Sequence, residues 1–246
     1  MSDQVDIDPT PVIATKQIPI EEYAATLRLQ RSLQSLHTYS NSFRTALRLF
    51  DFAGEQLSAS TSDMASHVQK MIAEPDPKAA SEYLDRVMTY NAWRNIACRD
   101  GAMSLYHFRK AMHYITGDSD CKTVKALIEP QHTRLAIKRF DAAFPDFEAL
   151  RHAIAHQSEL WKGLGGYLKN SIRGGYTKGS ISVKGESGLS SMTNHRQFTM
   201  TFEGRLVAYE MSEQTFNRLI EIQNQFYAGF RKAQQALAPP DGKGDP

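Results

Sequence analysis

"IEEYAATLRLQRSLQSLHTYSNSFRTALRLFDF", residues 20–52, contains neither glycine nor proline. Leu36, Phe43 and Phe50 recur every seven residues and Leu57 continues the series; Tyr23, Leu27, Leu33 and Leu47 fill out the same broad face. Two turns of an α-helix place such a repeat on one side, so the stretch predicts one long helix or two nearly collinear ones. A helix that long buries its stripe only against other helices, which sets a helical-bundle class for the chain.

Outward from this helix, residues 1–18, with their Asp and Pro, and the C-terminal "APPDGKGDP" (238–246), rich in Pro, Asp and Gly, are expected as flexible tails. Asp63–Glu74 is expected as a shorter helix closed by "EPDP", and Lys78–Ile115 as a long helix with room for a break near Tyr90. In its second half Trp93, Ile96, Asp100, Ser104, His107 and Ala111 fall near one line, flanked by the small residues Ala97 and Gly101. Small residues invite a second helix to come close, so Asp100 and His107 are expected towards the interior. "TGDSD" (116–120) caps a short helix that Pro130 ends, and Arg134–Phe144 is amphipathic through Leu135, Ile137, Phe140 and Phe144. Pro145 then suits a first helical position, with Asp146 and Glu148 in the first turn of a helix reaching about Trp161.

Beyond Trp161 the texture changes. Six glycines fall within 163–180, so the early part is expected as loop or frayed helix end. "SISVK" (180–184) and "RQFTMTFEGRLVAYEMS" (196–212) alternate at period two, with Glu203-Gly204 as a two-residue hairpin turn. Ser212 caps a last helix whose stripe is Phe216, Leu219, Ile220, Gln223, Phe226, Tyr227 and Phe230. The expected fold is mainly α: one helical domain over 19–237, with a β-hairpin inserted at about 179–210 before the C-terminal helix.

The formal charge of +2 does not argue for nucleic acid, but its distribution is uneven. Residues 1–159 carry 18 Lys and Arg against 20 Asp and Glu; residues 160–205 carry seven basic residues against two acidic ones. Within that basic segment Lys162, Lys169, Arg173 and Lys178 are candidate phosphate contacts, with Tyr167 and Tyr176 placed to stack on bases; the plainer reading is a solvated loop. "GLGGYLKNS" lacks the Gly-Lys-Ser/Thr ending of a Walker loop. Cys98 and Cys121 are too few for a disulfide framework. With no signal-like segment and no run of apolar residues long enough to span a bilayer, the chain is expected to be cytoplasmic, with no membrane partner.

The chemistry candidates concentrate in "EALRHAIAHQSELW" (148–161), which gathers Arg151, His152 and His156. Arg151 and His156 are five apart, offset on a regular helix by about 140° and roughly 7.5 Å of rise. They line one cleft only if the helix is framed on two sides, as at a symmetric dimer interface. Arginine offers a planar donor fork for phosphate, and histidine moves protons near neutrality. His152, His156 and Glu159 instead share one helix face, which is a candidate divalent-metal face. The bland alternative keeps Arg151 on the solvent side and His156 as a satisfied core histidine.

"RHAIAH" resembles the R-x4-6-H signature of the HEPN superfamily, in which a polar residue usually follows the arginine, and "ACRDGAMSLYHF" (97–108) resembles a helix of HEPN-like bacterial proteins. The specific part of the resemblance is six residues; the architecture it implies covers roughly 20–235. It implies a metal-independent endoribonuclease with no cofactor, in which two copies of the motif meet across a homodimer. Arg151 would hold the scissile phosphate, His156 would assist proton transfer and His152 would shape the site. Apart from the resemblance, Asp100 and His107, one heptad apart, read either as a buried polar pair satisfied by backbone or by each other, or as residues that orient Arg151 or His156. The implied setting is bacterial defence or a toxin system with an antitoxin-type protein partner. The family also contains members that bind nucleotide or protein without cleaving RNA.

Overall fold

The computed structural model describes residues 5–62, 76–117, 120–160, 162–172, 174, 176–178, 181–183, 188 and 191–238; at Leu160, 176–178 and 181–183 it describes the main chain only. The opening stretch forms a single helix longer than expected, α1 (Tyr23–Ser62), and α2 (Pro77–Gly117) runs unbroken through Tyr90. The helix expected over Asp63–Glu74 lies outside the described residues. Then follow α3 (Lys122–Lys125), α4 (Pro130–Ala143), α5 (Phe147–Ala155), α6 (Gln157–Leu160) and α7 (Gly163–Asn170). Five strands come next: β1 (Tyr176–Lys178), β2 (Ile181–Val183), β3 (Met192–Asn194), β4 (Gln197–Phe202) and β5 (Arg205–Glu210). The chain closes with α8 (Glu213–Ala228) and α9 (Arg231–Ala236). The fold is thus a mainly helical bundle with small antiparallel β-structure inserted before the last two helices.

Three boundaries differ from expectation. Pro130 starts α4 rather than ending the helix before it, because a first-turn N–H has no intrahelical partner to lose. The early glycine-rich segment is helical: Gly163 enters at φ +67°, which glycine adopts without steric cost, and α7 continues to Asn170. The single hairpin expected at 179–210 is instead a β1–β2 ladder and a separate β3–β4–β5 meander. The Glu203-Gly204 turn is as expected, with φ of 50° and 74° joining Phe202 to its register partner Arg205.

The chain gathers into two compact units. Unit 1 takes α1 up to Ser42, α2 from Ser104, α3, α4 and the C-terminal helices. Its core includes Leu29, Leu33, Leu105, Met112, Leu219 and Ile220, with Phe108 stacked on Phe140 at 5.8 Å. The α8 stripe is buried as expected, whereas Tyr23 and Leu27 of the α1 face and Leu135 of α4 are exposed. The segment taken as an N-terminal tail also packs here, with Pro11, Ile13 and Ile18 buried.

Unit 2 takes α1 from Phe43, α2 up to Met103, α5–α7 and the strands. Its core centres on Phe43, Leu47, Cys98, Phe198, Val207 and Tyr209, with the Tyr209 hydroxyl donating to the Cys98 carbonyl. The buried side of α2 is not the line through Trp93, Ile96 and Asp100, which are exposed, but the neighbouring one through Cys98, Gly101 and Ala102. A Cβ on Gly101 would stand 2.6 Å from both Met211 Cε and Tyr209 Oη. Met211 can swing away, but the Tyr209 hydroxyl is held by its hydrogen bond. Gly101→Ala is therefore expected to lower stability in urea unfolding: overpacking of roughly 1–3 kcal/mol exceeds the helix-propensity gain of about 1 kcal/mol.

Candidate functional site

The sequence around 146–160 folds as it does because Ala149, Leu150 and Ala153 must be buried against β4 and β5. That leaves Arg151 half-buried and His152 exposed. Asp146 at the start of α5 is buried; its carboxylate accepts the Ala208 N–H at 3.1 Å and lies 3.7 Å from the Arg205 guanidinium. Instead of sitting in a helical first turn, Asp146 pins α5 to β5.

The helix expected to reach Trp161 stops at Ala155. His156 leaves helical geometry with φ −109° and ψ 20°, and the short α6 restarts the chain. The His156 N–H donates to the His152 carbonyl at 3.0 Å, and the Glu159 N–H donates to the His156 carbonyl at 2.8 Å. From α2, Arg99 donates to Gln157 Oε1 at 2.7 Å and ties α6 in place.

This break sets aside the 140° separation a regular helix would impose and produces a row. Arg151 NH1 lies 3.3 Å from His152 Nδ1. The His152 and His156 rings stack at 6.3 Å with 17° between their planes, and His156 Nδ1 lies 3.1 Å from Glu159 Oε2. On its other side His152 stacks on Phe202 at 6.3 Å, so the end of β4 supports the row.

The partners assign the protons. A guanidinium only donates, so His152 Nδ1 accepts and, in the neutral ring, the N–H sits on Nε2. A carboxylate only accepts, so His156 Nδ1 donates and, in the neutral ring, its Nε2 carries a lone pair. Two adjacent exposed imidazoles thus present opposite groups, an N–H on His152 and an acceptor on His156.

The remaining candidates are placed differently. Asp100 and His107 are both exposed, against the expected burial. Asp100 lies in unit 2, where desolvation raises its carboxyl pKa. His107 lies in unit 1, stacked on Tyr39 at 5.4 Å. Phenylalanines and leucines at 105 and 108 take the interior positions that small neighbours had seemed to offer these polar groups. Lys162 and Lys169 are exposed at the two ends of α7; Arg173 and the side chain of Lys178 lie outside the described residues. Among the described residues no group of three His, Cys, Asp or Glu side chains is arranged to hold a metal ion, so the His152–His156–Glu159 face does not form such a set. No helix among them is long and apolar enough to cross a membrane.

The cysteines are inert by position. Both are buried, and burial pushes the Cys98 thiol up to about 12, opposed by hydrogen bonding to Thr193 and the charge of Arg94. The folded chain is expected to leave both thiols unmodified by iodoacetamide at pH 8, with two equivalents reacting only in denaturant. Burial also raises the Tyr227 hydroxyl to about 12 and the Tyr209 hydroxyl well above its usual value. These groups stay protonated in the fold while the unfolded chain ionises them. Their stabilisation is therefore complete below about pH 9 and is lost as pH rises towards 12, which alkaline unfolding monitored by circular dichroism would register.

Sequence reasoning missed Arg99, Asp146 and Phe202, which position the row. Their partners come from other elements: Asp146 and Phe202 depend on where α5 meets β4 and β5, and Arg99 on where α2 meets α6. No family model, curated protein or solved structure matches this chain.

Proposed function

We propose that the chain is a metal-independent endoribonuclease of HEPN type, acting as a homodimer, with the Arg151–His152–His156–Glu159 row as its reactive centre. The observation that carries this reading is the placement of two stacked, exposed imidazoles between a guanidinium and a carboxylate, contacts that favour opposite tautomers in the neutral rings. Cleavage of RNA needs a base, an acid and a cation within reach of one phosphate. His156 Nε2 takes the proton of the ribose 2′-hydroxyl as that oxygen bonds to phosphorus. The bond from phosphorus to the 5′-oxygen breaks, and His152 Nε2–H protonates the leaving oxygen. The products are a 2′,3′-cyclic phosphate and a free 5′-hydroxyl. Arg151 binds the non-bridging oxygens, and Lys162 and Lys169 extend the contact to neighbouring phosphates. The resemblance that motivates this reading places such activity in bacterial defence or a toxin system.

A noncatalytic module that binds nucleotide or a partner protein is the second reading. It is favoured by the exposed Leu164, Tyr167 and Leu168 on α7, spaced to form one apolar face for an antitoxin-type partner.

Incubation with single-stranded RNA in EDTA separates the two. The first reading expects fragments ending in 2′,3′-cyclic phosphate. Nucleotide binding without cleavage, with or without divalent ions, transfers the row to the second.

A further inference from the structure

Residues 6–13 are held in unit 1 as a separate peptide would be. They form no helix or strand, and side chains on two helices hold their main chain. Asn224 of α8 uses both ends of its amide: Oδ1 accepts the Asp8 N–H at 2.9 Å, and Nδ2 donates to the Asp6 carbonyl at 2.7 Å. Gln30 of α1 repeats the device five residues on, accepting the Ile13 N–H at 2.9 Å and donating to the Pro11 carbonyl at 3.0 Å. Each amide grips the carbonyl of one residue and the N–H two residues later. That pattern fits an extended chain, whose carbonyl at i and N–H at i+2 project from one edge; in an α-helix carbonyls and N–H groups point in opposite directions along the axis and bond to residues four apart.

Side chains give the segment its register. Asp8 pairs with Arg231 at 2.8 Å, Thr10 meets the Tyr227 hydroxyl at 3.4 Å, and Pro11 and Ile13 are buried while Val12 between them is 62% exposed. Beside Asp8 an open pocket of about 380 Å³, lined by His132, Arg139, Glu221, Asn224 and Arg231, continues the same groove with groups of both charges. Main-chain clamps give affinity and alternate side-chain anchors give selectivity, as in other grooves that read extended peptides.

We propose that residues 6–13 are an exchangeable arm, and that the surface formed by Gln30, Asn224 and Arg231 receives the same arm from a second copy of the chain. This sequence is the occupant because its fit is on view: the acid meets Arg231, the aliphatic residue is buried, and both amides are filled. The arm's contacts are with α1, α8 and Arg231, so they are identical whichever copy supplies it. What changes is the connection between the arm and α1, two three-residue turns at Thr15–Gln17 and Ile20–Glu22 with extended backbone at Ala14, so exchange must remake the burial of Ile18 and the Gln17 bond to the Ala238 carbonyl. Exchange of an identical element in this way creates a dimer without any new contact surface. The proposal does not depend on the chemistry of the imidazole row.

Sedimentation equilibrium of the full chain tests it, with the synthetic peptide of residues 5–14 as probe. The expected result is a dimer whose fraction rises with concentration and which millimolar peptide converts to monomer. Asn224→Ala and Gln30→Ala are each expected to weaken association at least ten-fold, with near-ultraviolet circular dichroism confirming an intact fold. The peptide competition on the unaltered chain decides the matter should either variant fail to fold. A monomer at all concentrations overturns arm exchange. So does a dimer indifferent to both peptide and clamp substitutions, an outcome that leaves the ribonuclease reading standing.

Discussion

His156→Ala is expected to reduce RNA cleavage by about 10²–10⁴-fold, the usual contribution of a positioned general base, while leaving the melting temperature unchanged. The side chain is 48% exposed and its hydrogen bond to Glu159 is at the surface, so little folding energy is at stake. Of the two imidazoles in the row, the substitution removes the one whose neutral form carries a lone pair on its outward nitrogen. His152 cannot substitute for it while Arg151 occupies its Nδ1. Glu159→Gln sharpens the test. An amide oxygen still accepts from His156 Nδ1 but no longer stabilises the imidazolium formed on proton transfer, so a smaller loss is expected. Full activity in His156→Ala would remove the row from the chemistry. Equal loss of activity and of folding would make His156 a structural residue.

Phe108→Ala carries the largest expected effect on stability, about 3–5 kcal/mol, as for a large aromatic deleted from a packed core. Phe108 has no exposed surface and stacks on Phe140 with only 12° between the rings, and Phe140 in turn packs on Phe144 at 4.8 Å. Removing it opens a void that neighbours fixed on α2 and α4 cannot fill. The adjacent residue supplies the contrast: His107 is exposed and stacked on Tyr39, so His107→Ala is expected to cost less than about 1 kcal/mol. Urea unfolding of the two variants therefore reads which side of α2 faces the core. A larger loss for His107→Ala would restore the line through Asp100 and His107 as the buried one.

That contrast marks a limit of periodicity. On α2 the small residues Ala97 and Gly101 do mark a close approach, but the groups nearest Gly101 are Tyr209 of β5 and Met211 just after it rather than a second helix. The error was one position of rotation. Trp93 and Ile96, large apolar residues that weighted the line towards themselves, are left at the surface, while Cys98, Gly101, Leu105, Phe108 and Met112 are buried. The buried residues follow a 3-4 spacing from Cys98 to Ile115, so one stripe describes this stretch, and what periodicity misjudged was which of two neighbouring lines faces the core.

The sequence by itself determined the two long helices and the last helix stripe, but not every element. A stretch of 33 residues without glycine or proline, carrying apolar residues at heptad spacing, can bury that surface only as a helix. The α8 stripe and the Glu203-Gly204 turn were equally legible, because both are local: one is a period, the other a demand for positive φ. The cluster at 151–156 was visible as composition, and its geometry was not. Only tertiary structure stopped α5 at Ala155, since Ala208 and Arg205 anchor one end of this segment and Arg99 holds the restart. The N-terminal segment makes the same point. Its prolines and aspartates deny it a helix of its own, and it is ordered by two amides on distant helices that no local pattern could pair with it.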